Sequence, residues 1–182
     1  MPTYISLIRG INVGGHKIVK MDELRKVIDK IGFENVQTYV QSGNIVFTTS
    51  RQSPSGLSKK IEDVIKKKFG HDAAVITKTA EEIAAAIHDN PFLKNKAIDV
   101  EKLHVTFLSG IPEPSSVKRL ETIPSGDDQF RWRENILYLY LPNGAGNSKL
   151  ASAPFEKLLG VRVTTRNWRT VNSLHQMAVD RG

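Results

Sequence analysis

The run Arg9–Gly10–Ile11–Asn12–Val13–Gly14–Gly15, continued by His16 and Lys17, combines residue types that can hold an anion. Gly10, Gly14 and Gly15 permit positive φ and close backbone approach. Successive N–H groups in such a loop can form an anion-binding nest. Arg9, His16 and Lys17 add charge, and Asn12 offers both an amide donor and an acceptor. The chemistry this implies is recognition of a phosphate or carboxylate. The spacing is neither a dinucleotide fingerprint nor a Walker A loop, because no Gly-Lys-Ser/Thr closes it. The alternative is a structural loop tied together by Asn12, with Arg9 paired to a carboxylate.

Three further segments hold polar groups at tight spacing. Ser42, Gly43 and Asn44 form a turn signal whose side chains could add hydrogen bonds. The cluster Thr164 to Val171 opens the last helix. There Asn167 or Thr165 can cap, Trp168, Val171 and Leu174 can form a buried stripe, and Arg166 and Arg169 lie beside the free N–H groups. Asn143 to Lys149 reads as a plain glycine-containing connection.

Several chemistries find no support. With no cysteine in the chain, disulfides, thiolate metal sites and a cysteine nucleophile are excluded. The histidines His16, His71, His88, His104 and His175 show no metal-ligand spacing. No serine elbow is present and no carboxylate pair stands out as an acid/base couple. No cofactor is expected.

The elements that must position these residues follow from periodicity. Thr3 to Arg9 is a strand, and its near-continuous apolar Tyr4–Ile8 stretch predicts a central one, covered on at least one face. A helix starts near Met21, with Leu24, Val27, Ile28 and Ile31 on one face and Gly32 as its stop. Val36 to Gln41 and Ile45 to Thr49 read as a hairpin pair. A second helix carries Leu57, Ile61, Val64, Ile65 and Phe69 and ends at Gly70. Ala74 to Lys78 is a fourth strand. Thr79 and Glu82 predict a capping box opening a bridging helix that Asn90–Pro91 ends.

The same order then recurs. Leu103 to Ser109 is a strand, Pro114 to Ile123 a helix, and Gln129 to Arg133 with Ile136 to Leu141 a hairpin. Lys149 to Leu159 reads as a helix broken or started by Pro154, Val161 to Thr164 as a strand, and Trp168 to Ala178 as a final helix. The expected fold is α+β. It comprises two tandem ferredoxin-like (β-α-β-β-α-β, α/β-plait) units with a bridging helix and a C-terminal helix, arising by tandem duplication. The expected boundaries are 1–78, 79–100 and 101–182. In that topology the end of strand one and the strand two–three turn share a sheet edge. Arg9–Lys17 and Ser42–Asn44 are therefore expected to be neighbours.

The hairpin aromatics Phe130, Trp132, Tyr138 and Tyr140, flanked by Arg131 and Arg133, suggest either a stacking platform for nucleic acid or a packed face. Packing of two sheet faces is the preferred expectation. The third-strand signature of an RNA-recognition sheet is missing.

Apolar residues make up 40% of the 182 and charged residues 25%, a composition that supports a working core without staples. The formal net charge of +7 favours anionic partners, although Lys59, Lys60, Lys66, Lys67 and Lys68 place part of it on one helix. The start of the chain lacks a secretory-signal pattern and no apolar run is long enough to span a bilayer, so the expected location is the cytoplasm and no membrane partner is expected.

Taken together, the Arg9-to-Gly15 run, the Tyr39–Phe47 hairpin and the Thr165–Arg166–Asn167–Trp168 cluster resemble the bacterial conserved-hypothetical proteins grouped as domain of unknown function 1697. The resemblance covers nearly the whole chain in matching order. It implies two α/β-plait units and assigns no activity, cofactor or catalytic residue.

The leading functional expectation is a binding module for a small anionic ligand, nucleotide or RNA backbone. Arg9, Asn12, Gly14, Gly15, Lys17, Ser42 and Asn44 would form one edge, with Arg166 and Trp168 contributing if the second unit folds back. One alternative is an enzyme acting on an anionic metabolite with His16 as base. The other is a protein–protein interaction or self-association module. Nothing in the sequence fixes the oligomeric state.

Overall fold

The computed structural model describes residues 1–181 of the chain. It is a mixed α+β protein with two four-stranded antiparallel sheets. The chain divides into two compact units: Met1–Ala85 with the chain from Ser173 onward, and Ala86–Asn172.

In the first unit the elements are β1 (Thr3–Ile8), α1 (Met21–Lys30), β2 (Glu34–Tyr39), β3 (Asn44–Thr48), α2 (Pro54–Phe69) and β4 (Val75–Thr79), with α3 (Ala80–His88) leading onward. The sheet order is β2-β3-β1-β4. β1 is central, pairing antiparallel with β3 (Ile5 opposite Val46) and with β4 (Leu7 opposite Ile76). Alternation along β1 serves two buried faces. Tyr4 and Ile8 join Leu24, Ile28, Phe47, Leu57, Ile61 and Ile65 in the core under α1 and α2. Ile5, Leu7, Val46 and Ile76 face the other way and are buried too. Phe33 stacks on Phe47, ring centroids 4.4 Å apart.

Local chemistry accounts for the helix limits. Ser53 accepts from Gly56 N, Pro54 occupies the first turn, and Gly70 at φ 74° ends α2. At the start of α3, Thr79 N donates to Glu82 Oε2 (2.8 Å) and Glu82 N to Thr79 Oγ1 (3.1 Å), the reciprocal capping box.

The second unit runs through β5 (Leu103–Leu108), α4 (Pro114–Lys118), β6 (Gln129–Arg133), β7 (Ile136–Tyr140), α5 (Phe155–Leu159) and β8 (Val163–Asn167) into the start of α6 (Trp168–Val179), whose residues from Ser173 on belong to the first unit. Its sheet order is β6-β7-β5-β8. Leu108, Val117, Leu137, Leu139, Phe155 and Leu159 form its core, with Phe130 and Trp132 packed against it.

Two expectations and one alternative need correction. The helix expected over 149–159 is helical only from Phe155, because Ser148 turns the chain first and Pro154 cannot donate inside a helix. β2 ends at Tyr39, since Val40 adopts φ 52° and leaves the ladder; the turn is Val40–Gly43 and Asn44 already belongs to β3. The hairpin aromatics do not form one platform. Phe130 and Trp132 sit opposite Leu139 and Leu137 on the core face. Tyr138 alternates to the other face, where its hydroxyl donates to Ala86 O at 2.8 Å.

Candidate functional site

The Arg9–Lys17 segment is a small hairpin. His16 N donates to Val13 O (3.0 Å) and Asn12 N to Lys17 O (3.1 Å). Gly14 and Gly15, at φ 57° and 76°, are the two central residues of its turn. Consecutive positive φ angles define the turn type that twists with a hairpin, which is why a glycine pair stands there. Asn12 (φ 55°) and Lys17 (φ 46°) also occupy the left-handed region.

Asn12 anchors this hairpin and is consumed in doing so. Its Oδ1 accepts from Val19 N at 2.8 Å; its Nδ2 donates to Val19 O and to Gln41 O, each at 2.9 Å. The bond to Gln41 joins the hairpin to the Val40–Gly43 turn. A second seam lies beside it, where Ile8 N donates to Gly43 O at 2.8 Å. The loop and the turn are thus neighbours on one sheet edge.

On its other flank the hairpin meets the segment after α2. Lys17 Nζ donates to Asp72 O (2.6 Å), His71 Nε2 to Ile18 O (3.2 Å), and Arg9 N to Ala74 O (2.9 Å). Lys66, hydrogen-bonded to Asp72 at 2.9 Å and adding its own charge, holds the Asp72 carboxyl below its usual range; Lys17 contributes less.

Ser42 is exposed, whereas Asn44 is fully buried and donates to Tyr39 O (2.8 Å) and Ser42 Oγ (3.2 Å). The polar side chains of Asn12 and Asn44 are thus engaged in hydrogen bonds within the edge itself. Arg9, His16, Lys17 and Lys20 remain on its exposed side, with Gly14 and Gly15 at the tip. Exposed beside them are Val13 (63%), Ile18 (54%) and Val40 (49%). Sequence reasoning missed these apolar residues, and the only signal was the apolar content of a segment read as a polar loop. It also missed Gln41, Asp72 and His71, whose partners lie far off in the chain.

Arg166 and Trp168 belong to the other unit. Arg166 is buried on β8, its Nη1 donating to Thr164 Oγ1 and Thr165 O, each at 3.0 Å. Burial pushes its guanidinium down to about 10, leaving it charged at neutral pH. Trp168 is half-buried and opens α6, which Asn167 caps by accepting from Thr170 N at 2.8 Å. Among the described residues, no cluster of three or more His, Asp or Glu side chains could hold a metal ion. No helix among them is long and apolar enough to cross a membrane.

Two four-stranded antiparallel sheets and a glycine hairpin stitched to the β2–β3 turn define a class of mixed α+β protein. The chain belongs to the family described as protein of unknown function (DUF1697), whose model matches residues 1–138. Its fold is similar to that of a conserved bacterial protein, SP0830 from Streptococcus pneumoniae. The two share 24% identity over 97% of this chain and 98% of that one, with a TM-score of 0.72. No curated protein matches.

Proposed function

We propose that the protein is a binding module that uses the Asn12–Lys17 hairpin and the Val40–Gly43 turn to hold an extended anionic ligand, with an RNA backbone as the working case. The observation that carries this reading is the exposed set Arg9, His16, Lys17 and Lys20 on a hairpin held from both sides. A braced edge loses little freedom on binding. The committed amides of Asn12 and Asn44 argue against a small enclosed anion and for a ligand that lies across the edge. Net charge of +7 favours the same class of partner.

Titration of a fluorescent single-stranded RNA at several salt concentrations tests the proposal. Binding should weaken with salt, and Arg9→Gln or Lys17→Gln should each lower the salt slope by about one. A slope unchanged in both variants, or no binding at low salt, sinks the reading.

A second reading draws on Val13, Ile18 and Val40. Three exposed apolar side chains around one hairpin suit a protein partner. If that is the ligand, Val13→Asp abolishes its capture while Lys17→Gln does not.

We also read the chain as two ferredoxin-like units in tandem, 1–78 and 101–182 bridged by 79–100. Support comes from the matching orders β2-β3-β1-β4 and β6-β7-β5-β8 and from the wholly antiparallel pairing in both.

A further inference from the structure

The second unit contains a cavity that shares no residue with the hairpin edge. Its volume is about 360 Å³, and its walls are His88, Asp89, Asn90, Leu93, Lys94 and Arg133. That size lies within the roughly 300–1,000 Å³ of small-molecule sites. The walls come from two stretches far apart in sequence: the end of α3 with the 3-10 turn Pro91–Lys94, and the end of β6.

Asn90 marks the site. It is only 3% exposed. Its Oδ1 accepts from Phe92 N at 3.1 Å and caps the 3-10 turn, which fixes the orientation of the amide. Its Nδ2 is then left as a buried donor without an acceptor among the described residues. Buried donors are nearly always paired, so this one calls for an explanation.

The surroundings favour an acceptor that carries negative charge. Lys94 and Arg133 line the same cavity. Among the described lining residues the carboxylate is that of Asp89, which lies 2.8 Å from His88 Nδ1; its side chain is 59% exposed, so its repulsion is screened by solvent. The wall is also braced. Tyr138 holds Ala86 O with its hydroxyl, and the Arg131 guanidinium lies 5.2 Å over the Phe92 ring.

We propose that this cavity binds the oxyanion of a small molecule, a phosphate or a carboxylate. Asn90 Nδ2 donates to a ligand oxygen, Lys94 and Arg133 balance the charge, and Leu93 covers an apolar portion.

The test uses the full ¹⁵N-labelled chain, titrated separately with inorganic phosphate and with citrate at constant ionic strength. The side-chain amide signal of Asn90, assigned by its loss in Asn90→Asp, should shift saturably with at least one of them. Saturation by phosphate alone makes the ligand group a phosphate, and by citrate alone a carboxylate. Arg133→Gln should weaken binding about tenfold or more. Asn90→Asp keeps an oxygen for the cap and should abolish saturable binding, while Lys17→Gln, on the hairpin edge, should leave it unchanged. No saturable shift with either probe, or equal affinity in Arg133→Gln, overturns the proposal. Failure of RNA binding at the hairpin leaves it untouched.

Discussion

Asn12 Nδ2 donates to the Gln41 carbonyl oxygen at 2.9 Å, bridging residues 29 positions apart and stitching the glycine hairpin to the β2–β3 turn. Together with the pair of bonds to Val19, it turns the residue most suggestive of ligand recognition into a structural clasp.

Replacing Asn12 should therefore loosen the edge before it affects any ligand. Asn12→Ala removes both donors and the acceptor for Val19 N. At about 1 kcal/mol per hydrogen bond, with roughly 1 more for alanine at positive φ, the loss is about 3–4 kcal/mol of local stability. Hydrogen exchange at Val19 N–H should accelerate strongly. Unchanged protection there would show that the clasp is dispensable.

Gly43 and Gly15 should differ on substitution although both have positive φ. A Cβ at Gly43 (φ 88°) would lie 2.8 Å from Ile11 Cδ1 and 2.9 Å from Ile8 Cβ, whereas at Gly15 (φ 76°) nothing comes within 4 Å. Gly15→Ala costs only backbone strain, about 1–2 kcal/mol. Gly43→Ala adds overpacking of roughly 1–3 kcal/mol. Denaturant midpoints for the two variants compare them directly, and equal losses would contradict the close approach.

A buried hydroxyl relay ties α2 to the sheet. Ser58 Oγ lies 3.0 Å from Thr77 Oγ1 and accepts from Thr77 N, and Thr77 Oγ1 lies 2.7 Å from Ser6 Oγ. Thr77→Val preserves shape but deprives Ser6 of its hydroxyl partner, while Ser58 keeps Thr77 N and Pro54 O, so the cost is about 1–3 kcal/mol. The double variant with Ser6→Ala should lose less than the sum of the two singles. Full additivity in that double-mutant cycle would mean the hydroxyls are uncoupled.

Alkaline stability should depend on Tyr138. Burial, with the Asp89 charge adding to it, pushes its phenol up from 10.0 to about 12. The folded state then binds the proton more tightly than the unfolded one. The stabilisation is complete below pH 10 and is lost as pH rises from 10 to about 12. Tyr138→Phe should flatten that decline while losing the bond to Ala86 O. Stability profiles of wild type and variant that fall in parallel across this window would exclude Tyr138 as the source.

Much of the fold was legible in the sequence because its signals are local. Thr79 and Glu82 announce a capping box, and the structure contains both of its bonds. Gly70 announces the end of α2 and adopts φ 74° there. The helix over 149–159 failed because Ser148 and Pro154 compete with an apolar spacing that reads as helical. The aromatic hairpin reads as one face in the sequence, although Phe130 and Tyr138 belong to opposite faces by strand alternation and register.

By itself the sequence determined the order of elements, the capping box that opens α3, the glycine that ends α2 and the glycine pair of the hairpin turn. Each of these depends on residues within a few positions of one another. Only the tertiary structure decided what Asn12 does, because its partner Gln41 arrives through the pairing of β1 with β3. The same holds for the cavity around Asn90, where Arg133 comes from a distant strand. A hydrogen bond or a charged wall between remote segments has no period and no spacing, so it exists only once the sheets have set their register.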